Sequence, residues 1–292
     1  MGEMLLDNNK FLEVIKGNSV NISEFVSVIE LLKDISYKVL IQQENNSLMN
    51  IYNELYTNKN EDVKIISKLF EKLFSFKEPT EFNQILLRVI NLGREESISF
   101  KEILLNNGYF DDYINIITYA NESIPEGSLR NVNNYEDLKT ALLLFTNRFR
   151  EINSFTNELR VILSHIVFDE DIDKSIEELN DGFDNRKNEI IYHLYCIQRE
   201  IPNIISQEIR GYQNIGSAMS LDCSPERSRE IVKDKLVKVI NGGKEINCEL
   251  HTKMEKISTR APDRIYFCPC IPVGTDHELD GKIYIYKITK HA

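Results

Sequence analysis

Over its first two hundred residues the chain repeats one pattern, apolar side chains three and four positions apart, and this spacing constrains its folding more than any other feature. Phe25, Val28, Ile29, Leu32 and Ile35 make one such run, and Val63, Ile66, Leu69, Phe70 and Leu73 make another. Because a helix turns once in about 3.6 residues, each run lines one face, and the region reads as amphipathic helices packed through those faces. Ser23 and Thr80 stand where N-caps are wanted, and Gly93, Gly108 and the stretch Ser123-Ile-Pro-Glu-Gly127 break the runs. A longer run, from Tyr135 through Leu142, Phe149, Phe155 and Ile162 to Ile166, predicts a single helix of about thirty residues. After the acidic interruption Asp169–Asp173, another helix is expected from about Ser175 toward Glu200, ending at or kinking on Pro202. No unit recurs at a fixed period, so a bundle or irregular helical array is expected rather than a solenoid.

The texture changes after Gly211. A helix is predicted to start near Ser224-Pro-Glu-Arg, carry Ile231, Leu236, Val237 and Ile240, and stop at Asn241-Gly242-Gly243. Three β-type runs follow, Ile246 to His251, Asp263 to Cys270 and Lys282 to Thr289, the last two joined by a long polar loop. Alternation in the middle run sets Ile265 and Phe267 on one face and Arg264, Tyr266, Cys268 and Cys270 on the other, so one face is core and the other is available for function. The expected fold is therefore mainly α with a small C-terminal α+β domain: a helical bundle or array over residues 1–204, then a short antiparallel sheet packed on a helix over residues 205–292.

A chain of 292 residues exceeds the usual size of one core, and 42% apolar residues suffice to fill two. The net charge of −11 is uneven. Residues 205–292 hold 14 Lys and Arg against 12 Asp and Glu, or +2, which leaves −13 for residues 1–204. The C-terminal part can meet phosphate where the rest would repel it. No apolar window reaches the length of a membrane span and no signal peptide is read at the start, so a cytoplasmic protein without membrane association is expected. Five cysteines at irregular spacing fit reduced thiols. The Walker loop, dinucleotide fingerprint, nucleophile elbow and His-Glu-x-x-His signatures are missing, which removes the usual support for ATPase, dehydrogenase, serine hydrolase and zincin activities.

The candidate chemistry lies at the C-terminal end. The order helix, Glu249-Leu-His251, Arg264-Ile-Tyr-Phe267, Lys282-Ile-Tyr-Ile-Tyr286 and a terminal Lys290-His291 resembles the RelE/ParE toxin superfamily over about 85 residues. Tyr286 and Thr289 depart from it where such endings carry Gly, and the loop with Cys268-Pro-Cys270 is longer. The resemblance implies a translation-directed endoribonuclease toxin of a toxin–antitoxin or phage-defence system. RNA or the ribosome would meet the C-terminal module, and a protein partner or antitoxin the helical body.

Metal-free RNA cleavage needs a base for the 2′-hydroxyl, an acid for the leaving oxygen and fixed cations at phosphorus. The residues offered are Arg264 for the phosphate, His251 or His291 for proton transfer, Lys253 and Lys290 for the RNA backbone, and Tyr266 or Tyr284 for stacking on a base. No cofactor is expected. Cys248, His251, Cys268 and Cys270 are also residue types that zinc prefers. Within the helical part, Arg160…His165 and Arg186…His193 fit the loose Arg-to-His spacing of HEPN ribonucleases, but Val161 and Lys187 replace the polar residue that usually follows the Arg. His165 sits in an apolar run and reads as packed rather than catalytic. The alternative for the whole chain is a non-catalytic interaction or scaffold subunit of a defence or restriction assembly.

Overall fold

Several apolar stretches that the helical spacing absorbs are in fact strands. In the computed structural model, which describes residues 2–18, 21–95, 99–105, 116–125, 127–240, 243–257 and 259–291, the chain divides into two units, Met1–Arg148 and Phe149–Ala292. The texture break near residue 205 falls within the second unit. The breaks expected at Gly108 and Asn241-Gly242 lie outside the described residues.

The first unit runs β1 (Glu3–Leu5), α1 (Asn8–Lys16), α2 (Ile22–Asp34), β2 (Lys38–Gln42), α3 (Asn45–Thr57), α4 (Glu61–Leu73), β3 (Phe74–Lys77), α5 (Pro79–Glu95), α6 (Phe100–Leu105), β4 (Ile116–Tyr119), β5 (Asn131–Val132) and α7 (Tyr135–Phe145). Its strands form a parallel sheet in the order β3-β2-β1-β4-β5. The expectation of a mainly α chain with only a small C-terminal sheet is thus overturned, since the chain is α/β. The physical reason is strand length and burial. Strands of two to five residues that, apart from β3, have both faces covered show no polar alternation, and α4 passes into β3 with no residue between them, so its helical pattern runs on into the strand.

One face of this sheet packs Leu5 and Leu40 against Phe82, Val89 and Ile90 of α5. Elsewhere in the unit Phe11 stacks on Phe70 and Phe74, at 5.8 and 5.0 Å between centroids. Asn8, the first residue of α1, ties that helix to the end of β2 by donating from Nδ2 to the Gln42 carbonyl (2.8 Å) and accepting the Gln42 N–H (3.1 Å). Gly2 is required by packing, because a Cβ there would lie 1.8 Å from the Tyr37 ring.

The second unit runs α8 (Ile152–Ile162), β6 (Ile166–Phe168), α9 (Ile172–Glu177), α10 (Phe183–Ser206), α11 (Tyr212–Ala218), β7 (Cys223–Pro225), α12 (Arg229–Lys235), β8 (Val237–Ile240), β9 (Lys244–Asn247), β10 (Leu250–Lys253), β11 (Arg264–Cys268) and β12 (Ile283–Thr289). The predicted thirty-residue helix is instead α7, a 3-10 turn, α8 and β6. The predicted helix through Val237 and Ile240 stops at Lys235, and these two residues belong to β8, which pairs with β9 as a hairpin. The main sheet has the order β6-β12-β11-β10-β7. β6 lies parallel to β12, and the remaining pairs are antiparallel. The sheet therefore draws its first strand from about forty residues upstream of the expected module. Among the described residues no helix is long and apolar enough to cross a membrane.

Candidate functional site

Strand register in the second unit determines which side chains meet. His251 pairs with Ser224 on one side and Tyr266 on the other, and Tyr266 pairs in turn with Lys287. Two positions along, Lys253 pairs with Arg264 and Arg264 with Thr289. Directly paired residues share a face and alternate residues return to it. Ser224, His251, Lys253, Arg264, Tyr266, Lys287 and Thr289 therefore form two cross-strand rows on one face. The opposite face carries Thr252, and α10 packs there, with His193 Nδ1 2.8 Å from Thr252 Oγ1.

On the first face His251, Lys253, Arg264 and His291 line a single hollow of about 310 Å³, together with Ser224 and Glu226. Arg264, only 9% exposed, donates from one terminal nitrogen to Glu226 Oε2 (3.0 Å) and to the Tyr266 hydroxyl (3.2 Å). Its Nε is buried without a hydrogen-bond partner among the described residues. Burial would raise the Glu226 carboxyl, but the backbone N–H groups of Ser228 and Arg227 and the Arg264 charge outweigh it and hold the group below the usual range. Glu226 is thus an anion that orients Arg264.

His251 is buried, its Nδ1 lies 3.2 Å from the Glu249 carbonyl, and its ring packs 5.0 Å from that of Tyr266. A carbonyl only accepts, so this contact selects the Nδ1–H tautomer and leaves the lone pair on Nε2. Burial first, and then the neighbouring Arg264 charge, depress its pKa to about 4. At neutral pH the ring is an uncharged proton acceptor. Lys253 forms an ion pair with Asp222 at 2.9 Å, and His291 is exposed.

The two tyrosines are placed differently from the expectation. Tyr266 is fully buried in a cluster with Val232 and Leu236 beside α12. Tyr284 is buried and donates its hydroxyl to Asp169 Oδ2 at 2.8 Å. Neither ring has a face free for a base. Tyr266 instead supports Arg264 and His251 from below. Lys290 is exposed and lines a second hollow, which also includes His291.

The cysteines do not converge with His251. Cys248 and Cys268 pack in an apolar cluster with Ile240, Ile246, Ile271 and Tyr284, and burial pushes the Cys268 thiol up to about 11. All five cysteines are free thiols, and among the described residues no group of three or more His, Cys, Asp or Glu side chains could hold a metal ion.

The two Arg…His pairs of the helical part are structural in geometry. Arg160 donates to the carbonyls of Phe168 and Asp169, both at 3.1 Å, and so fastens α8 to the end of β6. Its partner in the motif, His165, is exposed rather than packed. Arg186 is buried among Asp181 (2.8 Å), Glu189 (2.6 Å) and Asp263 (3.1 Å).

One location was not anticipated by sequence reasoning. The parallel sheet of the first unit reverses its strand order between β1 and β4, and in open α/β sheets the crevice outside the carboxyl ends of such strands is the usual ligand position. Asp7 stands there, with its carboxylate occupied in capping α1 through the N–H groups of Asn9 and Lys10. At the end of β4, Ala120 adopts φ +46°, and the N–H of Asn121 bonds to Asn131 Oδ1. The Leu-Leu-Asp-Asn run at residues 5–8 was the available signal, but it is recognisable only once Met4 and Leu5 are known to be strand. No protein-family model matches the chain, and neither a curated protein nor a solved structure does.

Proposed function

We propose that the second unit is a metal-independent endoribonuclease centred on the hollow of His251, Arg264, Lys253 and His291, consistent with a RelE-like toxin activity. The observation that carries this reading is the convergence of a buried guanidinium, a neutral imidazole and an exposed imidazole on one concave surface of a sheet. In this reading Arg264 binds the scissile phosphate, with Glu226 and Tyr266 fixing its orientation. His251 Nε2 takes the 2′-hydroxyl proton as that oxygen attacks phosphorus. The bond from phosphorus to the 5′-oxygen breaks, and protonated His291 supplies the proton the leaving oxygen needs, giving a 2′,3′-cyclic phosphate and a 5′-hydroxyl. A bound phosphate offsets the Arg264 charge that depresses His251, so the base strengthens as substrate arrives. The first unit supplies none of these groups.

The test incubates the full chain with end-labelled single-stranded RNA in excess EDTA. Cleavage to cyclic-phosphate ends is expected, slowed by about a hundredfold or more in Arg264→Ala. Near-full cleavage by the Arg264→Ala/His291→Ala double variant refutes the assignment.

A further inference from the structure

Beside the Arg264 hollow, on the same sheet face, lies a larger one of about 480 Å³ bordered by Lys174, Lys235, Lys238, Lys287, Lys290 and His291. The sequence hides this convergence. One lysine comes from α9, one from the last turn of α12, one from β8, one from β12 and one from the residue after it. Three carboxylates, Asp169, Asp171 and Glu178, share the lining. All three are engaged: Asp171 pairs with Lys174 at 2.5 Å, Asp169 pairs with Lys238 at 2.9 Å while accepting the Tyr284 hydroxyl, and Glu178 accepts the Thr289 hydroxyl at 3.4 Å. Lys238 also meets Glu170 at 3.2 Å, so five lysines face four carboxylates, a local surplus of one positive charge in a unit whose residues total 20 Lys and Arg against 24 Asp and Glu.

An acidic unit that gathers a surplus of lysines into one concavity creates a local attraction for anions against its overall field. The ligand class follows from shape and neighbours. At about 480 Å³ the hollow is larger than one phosphate fills, and it shares His291 with the Arg264 hollow. Arg264 and Thr289 are directly paired across strands, as are Tyr266 and Lys287, so the two hollows are separated by about one side chain.

We infer that this lysine hollow is a phosphodiester subsite, holding the backbone phosphates of single-stranded RNA next to the one at Arg264, with the strand crossing at His291. The inference rests on the ribonuclease reading and extends it. The subsite adds affinity rather than chemistry, so binding tightens with strand length while a dinucleotide is still cut at the Arg264 hollow.

The experiment measures binding of full-length protein to 2′-O-methyl RNA of about four and about fourteen nucleotides by fluorescence anisotropy across a salt series, and separately the cleavage of a dinucleotide, which occupies the Arg264 hollow alone. Wild type is expected to bind the longer strand more tightly. In Lys235→Gln/Lys287→Gln that affinity falls about tenfold and the salt slope drops by about 1.4, two phosphate contacts at roughly 0.7 each, while dinucleotide cleavage is unchanged. Lys235→Glu/Lys287→Glu should amplify the loss if the fold is intact by circular dichroism. Longer-strand affinity and salt slope unchanged in both variants, with cleavage intact, overturns the subsite and leaves the ribonuclease reading standing. Equal wild-type affinity for the two lengths also overturns it. No cleavage and no RNA binding by wild type removes both.

Discussion

Replacing His251 by Gln should remove a specific part of the protein's pH-dependent stability. In the folded chain burial, and after it the Arg264 charge, depress the His251 imidazole from the ordinary 6.5 to about 4. Between those values the unfolded chain binds a proton that the folded chain refuses, so stability rises with pH across this window. The contribution is complete above pH 6.5 and is lost as the pH falls to about 4. Each pH step of one between the two values is worth about 1.36 kcal/mol, so the loss amounts to roughly 3 kcal/mol. Glu226, held low by its backbone N–H groups and Arg264, also loses stability as it protonates, in the same direction and in both proteins. The difference between wild type and His251→Gln therefore reports the imidazole together with its smaller coupling to Glu226. The chain has no Trp, so urea unfolding should be followed by far-UV circular dichroism from about pH 7.5 down to about pH 4. Wild type should lose about 3 kcal/mol more than the variant over that range. Parallel stability curves for the two proteins, or a His251 ring resonance titrating near its ordinary value, would refute the burial argument and remove the neutral base from the proposed mechanism.

Three further substitutions test the packing. Arg186→Met leaves Asp181, Glu189 and Asp263 without their shared cation, and should cost about 3–5 kcal/mol in urea unfolding. Gly216→Ala drives a methyl to 2.7 Å from the backbone carbonyl oxygen of Cys223, so a lowered melting temperature corresponding to about 1–3 kcal/mol is expected. Tyr119→Phe removes a buried hydroxyl with no partner among the described residues, and stability should stay level or rise by up to about 1 kcal/mol; a clear loss would show that the hydroxyl is bonded.

The C-terminal strands were readable because alternation, turn residues and β-branched content agree there. The face carrying Arg264 and Tyr266 follows from that alternation, and the register places His251 and Lys253 on it. What alternation cannot report is what covers a face. Tyr266 disappears beside α12 and Tyr284 meets Asp169, a residue 115 positions away, and no local pattern encodes either contact. The parallel sheet of the first unit was illegible for a different reason. Apart from β3 its strands are buried on both sides, and Met4-Leu5 or Val39-Leu40-Ile41 continue the apolar texture of the helices they adjoin. The charge contrast was misleading as a boundary signal, because it was measured against residue 205, whereas the sheet takes β6 from the chain before α10.

The buried charge at Arg186 bears on the site through the opposite face of the same sheet. Asp263 is fully buried and accepts from Arg186 Nε and from the backbone and side-chain nitrogens of Asn180. Arg186 lies on α10, which packs against the Thr252 face of the sheet. Arg264, the next residue after Asp263, turns to the other face and reaches Glu226. A buried ion pair is weak evidence for net stability, since desolvation offsets much of its attraction. Its effect on register is stronger. Sliding β11 by one residue would expose the wrong side of every side chain, pulling Asp263 away from Arg186 and turning Arg264 into the apolar layer occupied by Ile265 and Phe267. Both outcomes strand a charge in the core. The Asp263–Arg264 dipeptide thus penalises a slip from both faces at once, and the phase of β11 that presents Arg264 to the hollow is held by an interaction on the opposite side of the sheet.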